Sequence, residues 1–136
     1  MKLYRLLFEQ PEKTTRKVSL GVLTFGNKVL ILKRSMDSKH GGKWGFPGGG
    51  IDADETAFKA IIRECEEEIG VRPINLIKLS QNGRITWFRG MLPCDPAECV
   101  GLNGEHDEWA LVGLEEVVEY DMIAGMEEMI KHVVSR

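Results

Sequence analysis

The sequence predicts an α/β (α+β) fold with a mixed β-sheet, and two hydrophobic patterns support this prediction. Aliphatic runs at Val18 to Phe25 and Val29 to Leu32 are joined by Gly26-Asn27, a tight-turn signal, which predicts a β-hairpin. Between positions 55 and 69 the apolar residues recur every three or four residues instead, which predicts a helix with one buried face. Strands and helices therefore intermix along the chain.

The segment that follows the hairpin is polar and rich in glycine. Ser35 to Lys43 is predicted to be a loop by its composition, and Trp44 to Pro47 a short β-like segment. Gly48 to Gly50 is expected to have no regular structure, because glycine is the residue most costly to order. The glycines lead directly to the predicted helix.

The helix is predicted to run from Glu55 to Ile69. Asp52 or Asp54 is expected to cap its first turn, since an aspartate side chain accepts hydrogen bonds from the unpaired backbone N–H groups there. Gly70 is expected to end it in a left-handed conformation.

The second half of the chain predicts further strands, a loop and a terminal helix. The predicted elements are strands at Ile74 to Leu79 and Arg84 to Leu92 with a turn at Gln81-Asn82-Gly83, a polar loop at Pro93 to Asp107, a strand at Trp109 to Val112, and a helix at Met122 to Val134. No repeat or long linker divides the chain, so a single domain over residues 1–136 is expected.

The overall charge limits the classes of ligand. The chain has 136 residues, a net charge of −3 and a sequence pI of about 5.7. It therefore lacks the basic surface that a nucleic-acid polymer requires, and no such polymer is expected as a partner. A small phosphorylated ligand would need a divalent metal ion or a local Lys/Arg cluster.

Cysteine usage and hydropathy indicate the compartment. Cys65, Cys94 and Cys99 form no CxxC pair and no zinc set, so reduced thiols are expected. Lys2 to Gln10 does not resemble a signal peptide, and no apolar run approaches the ~20 residues that span a membrane. A cytoplasmic protein with no membrane partner is expected.

The predicted helix carries an acidic cluster. Glu67 and Glu68 follow Glu64 by three and four residues, so the three side chains converge on one face of the helix. Repulsion between them calls for a compensating cation, and Mg²⁺ favours such carboxylate ligands. The alternative is a solvated acidic face with no ligand. The preceding glycines favour the metal site, because they let a ligand approach the backbone.

At this point the sequence resembles the Nudix family. Gly49 is followed after five residues by Glu55, and Glu55 after seven by Arg63 to Val71 (RECEEEIGV), which is the pattern of the Nudix box. Residues 42–48 (GKWGFPG) are similar to the family's usual lead-in, while Cys65 stands where the family usually has a larger aliphatic residue. The resemblance implies a mixed β-sheet sandwiched between α-helices.

The resemblance also implies a metal-dependent active site. Glu64, Glu67, Glu68 and the carbonyl of Gly49 would be metal ligands, with Mg²⁺ as the cofactor and Mn²⁺ as an acceptable substitute. Arg63 would orient a ligand glutamate by ion pairing. The metal would polarise a diphosphate while a carboxylate activates water for in-line attack.

The identity of the general base stays open. Family members take it from the box, here Glu64 or Glu67, or from a later acidic loop, here Glu105 or Glu108. Ordinary loop polarity is the alternative for the later pair. The resemblance assigns Glu55 to holding the geometry between loop and helix.

Several residues are candidates for substrate binding. Lys33 and Arg34 close the second strand and could bind phosphate, or be solvated cations at a strand end. Trp44 and Trp87 could stack on a nucleobase, although aromatic residues near short strands are more often core. His40 is a further candidate for phosphate contact.

The leading hypothesis is a pyrophosphohydrolase for a nucleoside diphosphate linked to another group. The small-molecule substrate would be a nucleoside triphosphate, ADP-ribose or another nucleotide sugar, or a dinucleoside polyphosphate. The alternative is a catalytically silent nucleotide- or metabolite-sensing module, which the intact box disfavours. A calcium buffer is disfavoured because no DxDxDG-type loop is present. Packing of Met122 and Met126 in the core or in a homodimer stays open.

Overall fold

The computed structural model describes residues 16–38 and 41–134. The expectations for His40 and for Lys2 to Gln10 concern residues outside these ranges. The elements in chain order are β1 (Val18–Phe25), β2 (Lys28–Arg34), β3 (Trp44–Gly45), β4 (Gly48–Gly50), α1 (Ala57–Ile69), β5 (Ile74–Asn82), β6 (Ile85–Met91), α2 (Pro96–Cys99), β7 (His106–Val112), a 3₁₀ helix (Val117–Glu119) and α3 (Glu127–Val134).

The described strands form one mixed sheet of seven strands. Its main order is β3-β2-β1-β6-β5, with β4 paired to β1 and β7 paired to β2. The neighbours β1 and β6 are parallel, from Val18 beside Ile85 to Thr24 beside Met91. All other pairs are antiparallel. The predicted mixed sheet is confirmed.

The two strands of the predicted hairpin separate after their turn, and this separation makes room for β4. Their paired residues are limited to Thr24 with Val29 and Phe25 with Lys28. Further along, β1 pairs with β4 instead, with Ser19 opposite Gly49. The glycines are therefore regular β-structure, and the expectation of an irregular segment is wrong. Gly48 has a φ of +147°, and a Cβ there would collide with the backbone oxygen of Ser19, so only glycine permits this pairing.

Apolar side chains cover both faces of the sheet. One face packs under α1, and the residues buried there include Leu30, Leu32, Ile61, Cys65, Ile69 and Phe88. The other face packs under α3, and the residues buried there include Val29, Ile31, Trp44, Phe46, Trp87, Met126 and Ile130. Successive residues of a strand point to opposite faces, so β2 contributes to both clusters. The sheet is thus sandwiched between helices, as expected.

The helix α1 starts two residues later than predicted. Its N-cap is Thr56, whose side chain accepts a hydrogen bond from the Lys59 amide, so the expected caps Asp52 and Asp54 are wrong. Gly70 ends the helix with a φ of +69°, and its amide donates to Glu66 O, which confirms the predicted left-handed stop.

The predicted terminal helix is too long at its start. Only Glu127–Val134 is helical. Gly125 has a φ of +85°, a conformation that a right-handed helix cannot contain. Met122 instead forms an isolated bridge with Trp44, while Met126 is buried in the core under α3. The regular spacing of apolar residues from Met122 to Val133 reflects their packing in the core and not one continuous helix.

Smaller differences concern the ends of strands and the predicted loop. The strand β5 runs on through Gln81 and Asn82, which were predicted to be turn residues. The predicted loop at Pro93 to Asp107 contains the short helix Pro96–Cys99, and β7 begins within it at His106. Asp95 caps the short helix through a hydrogen bond from the Ala97 amide.

The cysteines correct a further expectation. Cys94 and Cys99 form a disulfide across α2, with their Cα atoms 6.3 Å apart. The prediction of reduced thiols is therefore wrong for this pair. The two cysteines are five residues apart, so a search for CxxC does not detect them, but the turn of helix between them brings them together. Cys65 remains a free thiol and is buried under α1. The cytoplasmic setting stays a prediction.

Among the described residues, no helix combines the length and the apolar character needed to cross a bilayer.

Candidate active site

The glycine strand and the acidic helix meet at Gly49 and Glu64. Glu64 is fully buried. A Cβ placed on Gly49 would lie 2.6 Å from the carboxyl carbon of Glu64, so the absence of a side chain at position 49 makes room for this carboxylate. The Ser19 hydroxyl donates to Ala57 O over 2.8 Å and ties β1 to the start of the helix.

Glu68 lies one turn further along α1 and is also buried, with 3% of its surface exposed. Its Oε1 accepts a hydrogen bond of 3.0 Å from the amide of Gly48. Glu67 differs, because 51% of its side chain is exposed. The structure therefore places Glu64 and Glu68 against the glycine strand and leaves Glu67 facing solvent.

Arg63 connects this part of the site. Its Nε donates to Glu55 Oε2 over 2.6 Å, and its Nη2 donates to the carbonyl of Gly50 over 2.9 Å. Its Nη1 donates to Glu64 Oε2 over 3.1 Å and to Glu67 Oε1 over 3.3 Å. One guanidinium thus holds two of the predicted ligands in relation to the end of β4, which is the geometry expected of an orienting residue.

Glu55 is held as a carboxylate by these contacts. Its pKa is lowered to about 2, chiefly by the hydrogen bonds from the Arg63 side chain and then by the hydrogen bond from the Asp52 amide. The same hydrogen bonds raise the pKa of Arg63 well above its ordinary value. Glu55 is not part of α1, and it fixes the loop before the helix through Asp52 and Arg63.

The C-terminal end of α1 is electrostatically unfavourable for its own side chains. The last turn carries Glu66, Glu67 and Glu68 and no basic residue. Carboxylates at the negative end of a helix dipole are each destabilised by roughly 0.3–1 kcal/mol at the surface. A cation at this end would relieve that cost.

Arg34 is buried beside the acidic helix. Only 2% of its surface is exposed, and its Nε and Nη2 have no hydrogen-bond partner among the described residues. Burial lowers its pKa, and the nearby charges of Glu105 and Glu68 act in the opposite direction. Arg34 lies two residues after Leu32 on β2, so the two side chains point to the same face of the sheet. Because Leu32 packs under α1, Arg34 lies on the face that the acidic helix covers.

A β-bulge places His106 opposite Arg34. Lys33 pairs with Glu108, but Arg34 pairs with His106, so Asp107 is an extra residue on β7. His106 is 6% exposed, and its Nδ1 is buried with no hydrogen-bond partner among the described residues. Burial, and then the charge of Arg34, lower the pKa of His106 to about 4, which keeps it neutral at pH 7.

Lys33 and Glu108 lie apart from this cluster. The Lys33 Nζ forms an ion pair of 3.3 Å with Glu108 Oε2. Lys33 lies two residues after Ile31 on β2, so both side chains point to the same face. Because Ile31 belongs to the cluster under α3, the ion pair of Lys33 with Glu108 lies on the other face of the sheet from α1. Of the two loop candidates, Glu105 is the one whose charge acts on Arg34, as does the charge of Glu68.

The two tryptophans are mainly core residues. Trp44 and Trp87 are 8% and 9% exposed and belong to the cluster under α3. Their rings pack edge-to-face on Tyr120 and Phe46, respectively. These contacts favour the core interpretation, and stacking on a nucleobase stays a prediction.

The donor set fits a hard divalent cation. Glu64 and Glu68 bring two carboxylates to the glycine strand, and Glu67 is within reach of the same arginine as Glu64. Oxygen donors without histidine or thiolate suit Mg²⁺ or Mn²⁺. In residues 16–38 and 41–134, no three acidic, histidine or cysteine side chains already converge as a metal-binding group.

Two residues of this region were not anticipated from the sequence. Asn103 contacts the end of α1, with its Nδ2 donating to Glu67 O over 3.2 Å. His106 belonged to the acidic stretch at 105–108, but only the bulge in β7 turns it toward Arg34. A single asparagine or histidine in a polar loop carries no sequence signal of this kind.

Comparison with known proteins agrees with this geometry. The family model of the NUDIX domain matches residues 15–133. An RNA pyrophosphohydrolase of Bartonella tribocorum is 34% identical over 100 residues, which are 66% of this chain and 56% of the relative. An 8-oxo-dGTP diphosphatase of Escherichia coli is 29% identical over 106 residues, which are 72% of this chain and 82% of the relative. The chain thus spans little more than half of the Bartonella protein.

Solved structures share the fold. A Nudix hydrolase from Nitrosomonas europaea superposes with a TM-score of 0.73 at 22% identity, over 91% of this chain and 73% of that one. The family model covers nearly the whole described chain, and the box residues that define the resemblance meet at β4 and α1. The chain therefore belongs to the Nudix hydrolase family.

Proposed function

We propose that this chain is a metal-dependent pyrophosphohydrolase that cleaves a diphosphate bond in a nucleoside diphosphate linked to another group. The observation that carries the proposal is the burial of two carboxylates one helical turn apart, Glu64 and Glu68, against a glycine strand. Buried like charges are costly unless a cation compensates them. Arg63 and the buried Arg34 supply positive charge to this cluster, and a divalent ion would add the charge that a bound diphosphate also requires.

Glu64, Glu67, Glu68 and the carbonyl of Gly49 would hold the metal, for which we propose Mg²⁺ with Mn²⁺ as a substitute. When bound, such an ion neutralises phosphate charge and polarises the phosphorus–oxygen bonds. Arg63 would keep Glu64 and Glu67 in place through the hydrogen bonds it already donates to both. A ligand carboxylate that is fixed in this way loses less conformational freedom on binding.

The remaining step is attack by water on phosphorus. A carboxylate removes one proton from the water as its oxygen bonds to phosphorus, and the bond to the leaving phosphate oxygen breaks. Glu64 and Glu67 are candidates from the helix. Of the loop residues, Glu105 is supported by its electrostatic interaction with Arg34, whereas Glu108 is engaged with Lys33.

Arg34 is our candidate for contact with a substrate phosphate. Its buried Nε and Nη2 lack hydrogen-bond partners among the described residues, and a guanidinium matches a phosphate with paired donors. Lys33 is less favoured, because its ammonium already pairs with Glu108. The net charge of −3 supports a small nucleotide rather than a polymer as the substrate.

The experiment is phosphate release from a panel of substrates, with and without Mg²⁺. The panel contains nucleoside triphosphates, including 8-oxo-dGTP, together with ADP-ribose, nucleotide sugars, dinucleoside polyphosphates and an RNA with a 5′-triphosphate. The names of the two relatives motivate the inclusion of 8-oxo-dGTP and RNA. We expect metal-dependent cleavage of one small-nucleotide class, and preferential cleavage of RNA would overturn the small-molecule assignment.

Glu67→Gln is the matched variant for the panel. It removes one ligand charge from an exposed position, so we expect the fold to persist while turnover falls by about 100-fold or more. A rate near that of the wild type would remove Glu67 from the mechanism. Tight nucleotide binding by the wild type without any cleavage would favour the alternative, a silent sensing module.

A further inference from the structure

The last four carbonyls of α1 all have hydrogen-bond partners, and most of these partners come from one loop. A helix leaves its final four carbonyl oxygens unpaired by its own backbone. Here the Gly70 amide satisfies Glu66 O, and the Gly101 amide satisfies Ile69 O over 2.9 Å. Asn103 satisfies the two in between, with its side-chain Nδ2 on Glu67 O over 3.2 Å and its amide on Glu68 O over 3.3 Å.

Asn103 also holds the loop that carries Glu105. Its side-chain Oδ1 accepts a hydrogen bond of 3.0 Å from the Glu105 amide. The Glu105 carbonyl in turn accepts a hydrogen bond of 3.0 Å from the amide of Ser35, directly after β2. One amide side chain therefore connects the backbone of Glu67 to the backbone of Glu105.

We propose that Asn103 is a positioning residue for the hydrolytic reaction, which fixes the last turn of α1 and sets it at a constant distance from Glu105. This inference rests on the proposed function, since it concerns the same site. Asn103 touches no reacting atom in this scheme. It acts through the backbone of two predicted metal ligands and of one candidate base.

The physical reason is the tendency of helix ends to fray. The turn that carries Glu67 and Glu68 is the last of α1, and it also bears the mutual repulsion of three glutamates. Without the side chain of Asn103, Glu67 O loses its hydrogen-bond partner, whereas the contacts at Glu66 O, Glu68 O and Ile69 O come from backbone amides. The backbone at Glu67 would then be held less firmly, and its half-exposed side chain would sample several positions from which metal binding would have to select one.

The test compares Asn103→Ala with a control at the opposite end of β7. The control is Glu116→Ala, because Glu116 Oε1 accepts a hydrogen bond of 2.7 Å from the Gly113 amide in a loop outside the site. For Asn103→Ala we expect Mg²⁺ affinity, measured by calorimetry without substrate, to weaken about tenfold, and kcat to fall by about tenfold with KM little changed. For the control we expect a lower melting temperature with both quantities within about twofold of the wild type.

Asn103→Asp separates the two links. An aspartate keeps an acceptor for the Glu105 amide but cannot donate to Glu67 O, so we expect its kcat to fall as well. This variant also decides the question if Asn103→Ala does not fold.

A merely structural role predicts a different result. If Asn103→Ala lowers the melting temperature as the control does while Mg²⁺ affinity and kcat stay within about twofold, the positioning role is overturned. A wild-type kcat for Asn103→Asp would overturn it too. A wild type that neither binds Mg²⁺ nor cleaves any substrate of the panel would instead overturn the proposed function, and this role with it.

Discussion

Gly49 is a residue at which the glycine strand and the helix α1 approach each other closely. Its missing side chain leaves room for the carboxylate of Glu64, which is fully buried. The sequence predicted this pair only as members of a spaced motif. It did not predict that the two touch, because contact depends on β4 pairing with β1.

Gly49→Ala should reduce activity more than stability. The added methyl group would lie 2.6 Å from the Glu64 carboxylate, which is the end of a flexible side chain and can turn away at modest cost. We expect Mg²⁺-dependent turnover to fall by about 10- to 100-fold, as for other changes that displace a ligand. Steady-state kinetics and thermal unfolding measure the two effects.

Gly113→Ala is the control for this substitution. A Cβ at Gly113 would meet Glu116 Oε1 at 3.5 Å, an ordinary contact outside the site. It should leave turnover unchanged. Equal losses of activity in the two variants would mean that the close approach at Gly49 is irrelevant to function.

Burial of charged residues was the part of the site least accessible to sequence reasoning. The helical period predicted that Glu64 and Glu68 share a face, and both lie at the glycine strand. For Arg34 the sequence left open a phosphate contact or a solvated cation at a strand end, and the residue is 2% exposed. Its burial depends on the pairing of β2 with β7, a segment distant in sequence, rather than on local composition.

At the scale of elements, α1 is fixed at both ends by segments distant in sequence. Ser19 binds the carbonyl of Ala57 at its start, and the loop at Gly101 to Asn103 binds the carbonyls of its last turn. The strong period of this helix made it predictable within two residues. The terminal helix was predicted to start too early, because the apolar spacing continues across Gly125 although the backbone there is left-handed.

The short helix α2 gives a prediction at this scale. The Cys94–Cys99 disulfide closes a small loop, and loop closure of this length contributes about 2 kcal/mol to the free energy of unfolding in the chain-entropy description. A dithiol reductant should therefore lower the melting temperature of the wild type by about 5–10 °C. Differential scanning calorimetry with and without the reductant measures the shift.

The double variant Cys94→Ser/Cys99→Ser provides the comparison. It should melt near the reduced wild type and show no response to the reductant. Titration of thiols in the unfolded, unreduced wild type should detect only Cys65, which is the free cysteine. Three reactive thiols in that titration would show that the bridge is absent.

For the whole molecule, the sheet between two helical layers was predictable and its strand order was not. The intermixing of the two hydrophobic periods indicated the fold class. The parallel pairing of β1 with β6 brings Val18 beside Ile85, and no local signal encodes such a distant partner. The separation of β1 from β2 could not be predicted either, since the turn at Gly26-Asn27 predicts only the residue pairs next to it.

Metal binding should stabilise the whole fold. An ion that binds only the native state adds about 2.7 kcal/mol at a concentration of 100 times its Kd. We expect Mg²⁺ at that excess to raise the melting temperature by about 10 °C relative to a chelator-treated sample. The shift should be smaller for Glu67→Gln, which lacks one ligand charge. An unchanged melting temperature at saturating Mg²⁺ would count against a preformed site.

The pairing of β1 with both β4 and β6 has a consequence for the order of folding. The glycine strand is positioned by β1, and β1 is joined on its other side to β6, far along the chain. Contacts between distant segments form late, because their loop-closure entropy is lost before the pairing stabilises them. The segment from 49 to 71 therefore contains all the box residues and yet forms no site by itself. The predicted ligands can come together only after the sheet has closed around the glycine strand.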